Sequence, residues 1–544
     1  MKVISIHTVS VLAACISISA CSRSDSPKPV QRGSIVISAS ADPDILLPPL
    51  TLSVQGKQIT DQIFDNLADI GDSLNTVGDS GFRPRLARSW VWAADSSWID
   101  FHIDPSARWH DGVRVGSSDV QFTLQLLKDS TFGSQLAANT ENVDSVSTPD
   151  SLVARVWLAK HPPNEFFRIA YPIAILPRHL LKAIAPRDIR SSAFARNPVG
   201  SGRFRFSKWI PSTSVVLVAD TTNYRGRPAS DRLVWLVSQN YDAAALRFLS
   251  GDADFLDVVK PELVAKVLAS GRRLSTHTPS LNYGYVAFNL HDGASLRANP
   301  IFADRAVRRA LVMAVNRTAL VKNVFDTLGL VAHGPVTRAL PTSDSSIGLA
   351  YDTVAAAAAL TAAGWKASPS GVRMRNGRPL RFSLMVPTSS ATRMRFAVLL
   401  QDQWKRIGAD VHLDQIELSA FGARMEAHKF DALLNAWQID PDPASVRDEW
   451  VSAERNKAGF NFESYSNPVV DALLDSASTS ADMQRSVSLY RQAYRQITED
   501  APALWLYEPR NVFGVSARLE TNGMRADAWW ARLADWKVKI PLTK

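Results

Sequence analysis

The residues best placed for chemistry stand at Asn435–Pro443, which reads N-A-W-Q-I-D-P-D-P. The run before it, Phe430–Trp437 (F-D-A-L-L-N-A-W), is mostly apolar and free of Gly and Pro. That fits a buried strand, although periodicity alone leaves a helical segment open. Two Asp-Pro steps then end the run, because proline lacks a backbone N–H and pushes the residue before it into extended conformation. The expected result is Trp437 and Asp440 presented at a strand end. A carboxylate so placed accepts charge-assisted hydrogen bonds from an ammonium group. An indole beside it supplies an apolar wall for the cation. Asp and Pro also build ordinary surface turns, so these residues by themselves equally describe an acidic turn behind a core Trp.

Two other constellations carry less. Gly78-Asp79-Ser80-Gly81 spells the nucleophile motif of chymotrypsin-like proteases, whose chemistry needs a His base and an orienting Asp. In those enzymes the His lies upstream, and His7 is the only one before Ser80, so Ser80 reads as a loop residue. His110-Asp111 offers metal-ligand types, but no second His stands at helical or hairpin spacing and no H-E-x-x-H occurs. Neither a P-loop nor a G-x-G-x-x-G is present. Gly251-Asp252-Ala253-Asp254 reads as helix-end chemistry, not a calcium loop. No enzyme chemistry, cofactor or metal is expected from these motifs.

The elements that must position these residues alternate between strand and helix signals. Ser34–Ala39 is a β-type run closed by Asp42-Pro43-Asp44, and Gln58–Leu67 carries helical spacing through Ile59, Ile63 and Leu67. Trp98–Ile103 alternates as a strand. Arg108–Gly112 makes a turn with Asp-Gly at its tip, after which Ser118 or Asp119 is expected to cap a helix. Within Phe302–Arg317, Val307, Ala310, Leu311, Ala314 and Val315 form one apolar helix face, with Asp304 placed to cap it. Asn376-Gly377 between two β-type runs predicts a hairpin. Leu399–Ile407, Pro468–Ala477 and Met483–Glu499 read as helices, and Ala503–Tyr507 as a strand.

With 544 residues the chain exceeds one hydrophobic core. No internal stretch approaches the run of about 20 apolar residues that a membrane span needs. Met1-Lys2, an apolar stretch to Ala20, Cys21 and then a polar segment to Pro29 read as a secretory signal and tether. Its removal takes only Lys2, so the net charge of +9 falls to +8 (60 Lys+Arg against 52 Asp+Glu). Basic residues are scattered, which argues against nucleic acid as a partner. Cys15 and Cys21 are the only cysteines, so processing at Cys21 leaves none for a disulfide or a Cys-based metal site.

Several ordered motifs resemble the family 5 extracytoplasmic solute-binding proteins, the dipeptide, oligopeptide and nickel receptors of ABC importers. They are P-x-L-A-x-S-W at Pro84–Trp90, W-x-x-F-x-I at Trp98–Ile103, W-H-D-G at Trp109–Gly112 and D-V-x-F-T at Asp119–Thr123. Asn197–Phe204 resembles N-P-V-G-T-G-P-Y with Arg203 in place of Pro. Asn223-Tyr224 with Asp231–Leu233, Tyr285–Asn289 and Phe302–Arg317 follow, the last with Asn316 in place of Asp. The resemblance spans about residues 34–520.

It implies an α/β fold of two lobes with mixed sheets, the type II periplasmic-binding-protein form with an extra subdomain, and a ligand cleft between the lobes. Lobe I is expected at 34–280 with a subdomain near 60–195 and a C-terminal return at 508–544; lobe II is expected at 281–507. Two interlobe crossings, near Ser280–Asn289 and Leu506–Pro509, would make a hinge. In the family's peptide binders, an Asp two residues beyond G-W-x takes the ligand α-ammonium; that position here is Asp440. Main-chain groups at Ala436 and Gln438 would pair with an extended peptide, with Asn435 and Trp437 beside them. Ala436 replaces the usual Gly. The loop Pro387–Ser390 lacks the Arg with which dipeptide receptors hold the ligand carboxylate, and Arg393 is near but not aligned. Longer peptides are therefore expected, with a nickel chelate, haem or oligosaccharide as alternatives. Ile18–Cys21 resembles a lipobox, as does Leu12–Cys15, and implies a diacylglyceryl anchor on Cys21 after removal of residues 1–20, with 21–33 as tether. The expected partners are a permease and ATPase complex, and the expected state is a monomer in the periplasm or at the cell surface.

Overall fold

The computed structural model describes residues 33–277, 280–291, 297–455, 459–480 and 482–539; the signal segment, Cys15 and Cys21 lie outside the described residues. Ser34–Ala39 is wholly buried. It runs parallel to Arg232–Val237 on one side and to Phe255–Leu256 on the other, and burial on both faces accounts for its apolar run. Phe204–Ile210, Ser214–Ala219, Arg273–His277 and Asn511–Val515 complete this seven-stranded mixed sheet.

A second, six-stranded mixed sheet runs in the order Gly329–Val331, Ala503–Pro509, Asn282–Phe288, Ala432–Gln438, Arg381–Pro387, Asp410–Ile416. Helices Arg305–Met313, Arg317–Phe325 and Ala391–Arg406 cover one face through Leu311, Leu320 and Phe396. Helices Pro468–Thr479 and Met483–Asp500 cover the other through Leu474, Tyr490 and Tyr494. A separate four-stranded antiparallel sheet of Ala87–Trp92, Trp98–Ile103, Val153–Leu158 and Val143–Asp150 packs under helix Ser117–Lys128. The chain passes from the first sheet to the second between His277 and Asn282 and returns between Pro509 and Asn511.

Local signals worked where the chemistry is local. Asp304 accepts from Ala306 N at 3.0 Å and starts its helix. That helix ends at Met313 rather than Arg317, and Asn316 caps the next one, accepting from Ala319 N at 2.9 Å. Asn376 and Gly377 both hold positive φ, 51° and 75°, which is what a type I′ hairpin turn requires. The helix after the W-H-D-G turn departs from expectation. It starts at Ser117 with Gly116 as cap, and Asp119 reaches back to accept Gly116 N at 2.9 Å. Asp119 also accepts Arg178 N at 2.9 Å, so its carboxylate bonds the cap residue of its own helix from the N3 position and ties that helix to the start of Arg178–Leu181.

The decoys have structural work. His110 Nδ1 accepts from Gly200 N at 3.2 Å while Nε2 donates to the Gly202 carbonyl at 2.9 Å, leaving neither nitrogen for a metal. A Cβ on Gly200 would stand 1.9 Å from the Ile63 carbonyl, so the N-P-V-G-S-G loop needs glycine to lie against the end of helix Val54–Ile63. Ser80 sits exposed in a turn whose Asp79 accepts from the indoles of Trp90 and Trp92 at 2.8 and 3.1 Å. Gly251 ends helix Tyr241–Ser250 at φ 103°, and Asp254 accepts Val36 N at 2.9 Å and pairs with Arg518.

Candidate functional site

Strand Ala432–Gln438 lies antiparallel to Asn282–Phe288. The bonds Ile439 N to Leu281 O and Asn289 N to Asp431 O, both 2.9 Å, set the phase of that ladder. Asn435 and Trp437 therefore bond across it, and Ala436 and Gln438 turn their N–H and C=O to the opposite edge. On that edge the parallel ladder to Arg381–Pro387 contains only Leu384↔Ala432 and Met385↔Leu433. Beyond Leu433 the strand runs out without a ladder partner on this side.

The chain then turns. Asp440 Oδ1 accepts Asp442 N at 2.9 Å, and Asp442 Oδ1 accepts Ala444 N at 3.0 Å. These side chains hold the D-P-D-P turn together with the main-chain bond from Ser445 N to the Asp442 carbonyl at 3.1 Å. Gln438, Ile439, Asp440 and Asp442 form one wall of a cavity of about 730 Å³ between the two lobes. The opposite wall carries Asn164, Phe167, Arg168, Tyr171 and Asp527. Two bonds bridge the walls: Asn164 Nδ2 to Asp442 Oδ2 at 2.6 Å, and Thr76 Oγ1 to the Pro441 carbonyl at 3.3 Å.

Asp440 is open to water in the cavity and hemmed in by both walls. Loss of hydration raises its pKa, and the like charge of Asp527 adds to the rise. Burial carries Asp442 up to about 6, with Asp440 contributing.

Of the five residues singled out in the sequence, Gln438 and Asp440 line the cavity and Ala436 offers its backbone at the strand edge. Asn435 and Trp437 are not among the lining residues. They point to the other face of the strand, where Asn435 is 7% exposed. Trp437 Nε1 donates to Glu449 Oε1 at 2.8 Å, and its ring packs edge-on against Phe460 and Phe462. The expected indole wall beside Asp440 is instead made by Phe167, Tyr171 and Ile439. Behind Trp437, burial pushes Glu449 and Glu463 each up to about 8. Arg393 sits in the first turn of helix Ala391–Arg406, half-buried near Tyr285 and Tyr507.

The first-lobe wall left no signal in the sequence. Asn164 lies 278 positions from the Asp442 it bonds, and nothing in its neighbours marks the contact. Among the described residues no group of three or more His, Cys, Asp or Glu could hold a metal ion, and no helix is long and apolar enough to cross a membrane.

The family model for bacterial extracellular solute-binding proteins, family 5 middle region, matches residues 81–458. The oligopeptide-binding protein AppA of Bacillus subtilis is 26% identical over 527 residues, covering 94% of each chain. A putative ABC transporter peptide-binding protein of Brucella ovis is 25% identical over 467 residues, covering 84% of each. The solved structure of AppA from Bacillus subtilis in complex with a nonapeptide superposes with a TM-score of 0.70 at 25% identity, covering 94% of this chain and 100% of that one.

Proposed function

The chain belongs to family 5 of the bacterial extracellular solute-binding proteins, the substrate-binding proteins of ABC transporters, and on that premise we propose that it captures oligopeptides in the cavity between its lobes and delivers them to a membrane permease. The observation that carries this reading is Asp440. It is a carboxylate on the interlobe cavity with no ion pair among the described residues, at the end of a strand whose Ala436 and Gln438 main-chain groups face an unladdered edge. The ligand's α-ammonium bonds Asp440, and its extended backbone adds to the strand edge, which supplies affinity without selecting side chains. Water retained around the cavity lets varied side chains be accommodated.

The lobes are residues 34–280 with 508–544, and 281–507, the first including a subdomain near 60–195. They close about the two crossings as a hinge. Lipidation of Cys21 tethers the protein to the membrane, next to its permease and ATPase. The crossing residues and Cys21 await direct test: Cys21→Ser is expected to move the protein from the membrane fraction to the soluble one.

Calorimetric titration with a peptide library tests the binding role. Wild type is expected to bind free peptides, and Asp440→Ala to lose about 1.5–3 kcal/mol, the worth of a hydrogen bond to a charged group. Equal affinity for N-acetylated and free peptides would sink the ammonium assignment.

A further inference from the structure

The cavity wall opposite Asp440 carries a second carboxylate held from behind. Asp527 is 7% exposed. Arg525 donates Nε to its Oδ1 and Nη2 to its Oδ2, each at 3.0 Å, and the Tyr171 hydroxyl donates to Oδ2 at 2.5 Å. Arg525 also pairs with Asp69, which lies 3.5 Å from Arg85. Asp527 is thus fixed by a buried framework of the first lobe, whereas Asp440 is set by its own turn on the second. Both line the same cavity, close enough for their like charges to act on one another.

The cations that line this cavity are engaged elsewhere. Lys57 pairs with Asp61 at 3.1 Å, and Arg168 donates to the Ala138 carbonyl and lies 3.6 Å from Glu141. Asp440 and Asp527 thus line one cavity from opposite walls, with no lining cation paired to Asp440 among the described residues.

We propose that Asp527 is the second half of the ammonium site: one ligand ammonium bonds Asp440 from one lobe and Asp527 from the other, and its charge draws the lobes together. The inference rests on the peptide-binding reading above and adds a residue and a closing force to it. An ammonium group has three N–H donors, enough for both carboxylates and one main-chain carbonyl. Without it, the part of the Asp527 charge that Arg525 does not offset acts against Asp440 across the cavity. With it, the sign of the interaction across the cavity reverses, in a space where walls on both sides weaken solvent screening. A ligand whose amine is blocked leaves the repulsion in place, so discrimination against it exceeds the loss of one hydrogen bond.

The test compares a peptide with its N-acetylated form on the full chain, by calorimetry for affinity and small-angle scattering for closure. Wild type, Asp440→Asn, Asp527→Asn and Asp527→Glu are measured. Asp527→Asn is expected to shrink the preference for the free amine by about tenfold or more and to abolish the ligand-induced decrease in radius of gyration. Asp527→Glu is expected to restore much of both, a rescue that a purely structural role does not produce. If Asp527→Asn lowers affinity for both peptide forms equally, or changes neither, Asp527 only supports the wall and the inference is overturned. If Asp440→Asn leaves the preference intact, the underlying ammonium reading fails instead.

Discussion

Two groups of carboxylates, one around Arg525 and one in and behind strand Ala432–Gln438 and its turn, differ in whether a cation is paired to them. Under the first-lobe wall, Asp65 pairs with Arg225, Asp69 with Arg525 and Arg85, and Asp527 with Arg525. In the second lobe, Asp440, Asp442, Glu449 and Glu463 have no ion pair among the described residues. Burial pushes Asp69 up, yet Arg85 and Arg525 outweigh it and bring the carboxyl down to about 2. Burial without a paired cation takes Asp442 to about 6, despite the charge of Arg168, and Glu449 and Glu463 to about 8. Desolvation is common to Asp69, Asp442, Glu449 and Glu463, so the lowering at Asp69 comes from the arginines beside it. The paired set builds a rigid wall. Of the unpaired set, Asp440 and Asp442 line the cavity.

The contrast can be broken most severely at Arg525. Arg525→Met removes the shared cation and leaves the buried Asp527 side chain without its ion pair and Asp69 with Arg85 alone, an expected loss of about 3–5 kcal/mol of stability by urea denaturation. Asp440→Ala should do the reverse, costing about 1.5–3 kcal/mol of peptide affinity while leaving the urea midpoint almost unmoved. A variant that unfolds the protein at Asp440, or spares it at Arg525, would erase the distinction between the two groups.

The pH dependence sharpens the comparison, because the two groups carry opposite signs. Glu449 and Glu463 titrate near 8 in the fold against an ordinary 4.5. The native state keeps protons that the unfolded chain has released, so their contribution to stability falls as pH rises from 4.5 through 8. Glu449→Gln and Glu463→Gln should flatten that decline, each gaining about 1–2 kcal/mol at alkaline pH. Asp69 works the other way: its contribution is present above 3.8 and is lost as pH falls toward about 2. Thermal melts across pH 2–9 of wild type and the Gln variants would separate the two limbs. The smallest effect is expected for Trp437→Phe, which keeps the ring contacts and removes only the donor to Glu449, at about 1 kcal/mol.

Much of the second lobe's framework was legible. Phe430–Trp437 followed by two Asp-Pro steps is strand and stop by composition alone, and the strand indeed spans Ala432–Gln438. Asn376-Gly377 and Asp304 announce their turn and cap because each acts within three residues of itself. The side to which Trp437 turns is something periodicity does not supply. In a strand, neighbouring side chains face opposite ways, and which way depends on the ladder with Asn282–Phe288. Asp440, lying past the strand end, is freed from that alternation by the turn.

What the linear order of residues settled was the set of self-contained choices. These are which segments are apolar on one face, where proline and Asn-Gly stop them, and which carboxylate follows the last strand residue. Only the tertiary structure decided what stands across from that carboxylate. Asn164, Tyr171 and Asp527 reach the cavity from segments far apart in the chain, brought there by two sheets that the chain crosses between twice, and Arg525 holds Asp527 from behind. A pKa depends on charges within a few ångströms in space and not on neighbours in sequence, so the division between paired and unpaired acids appears only once the lobes are folded against each other.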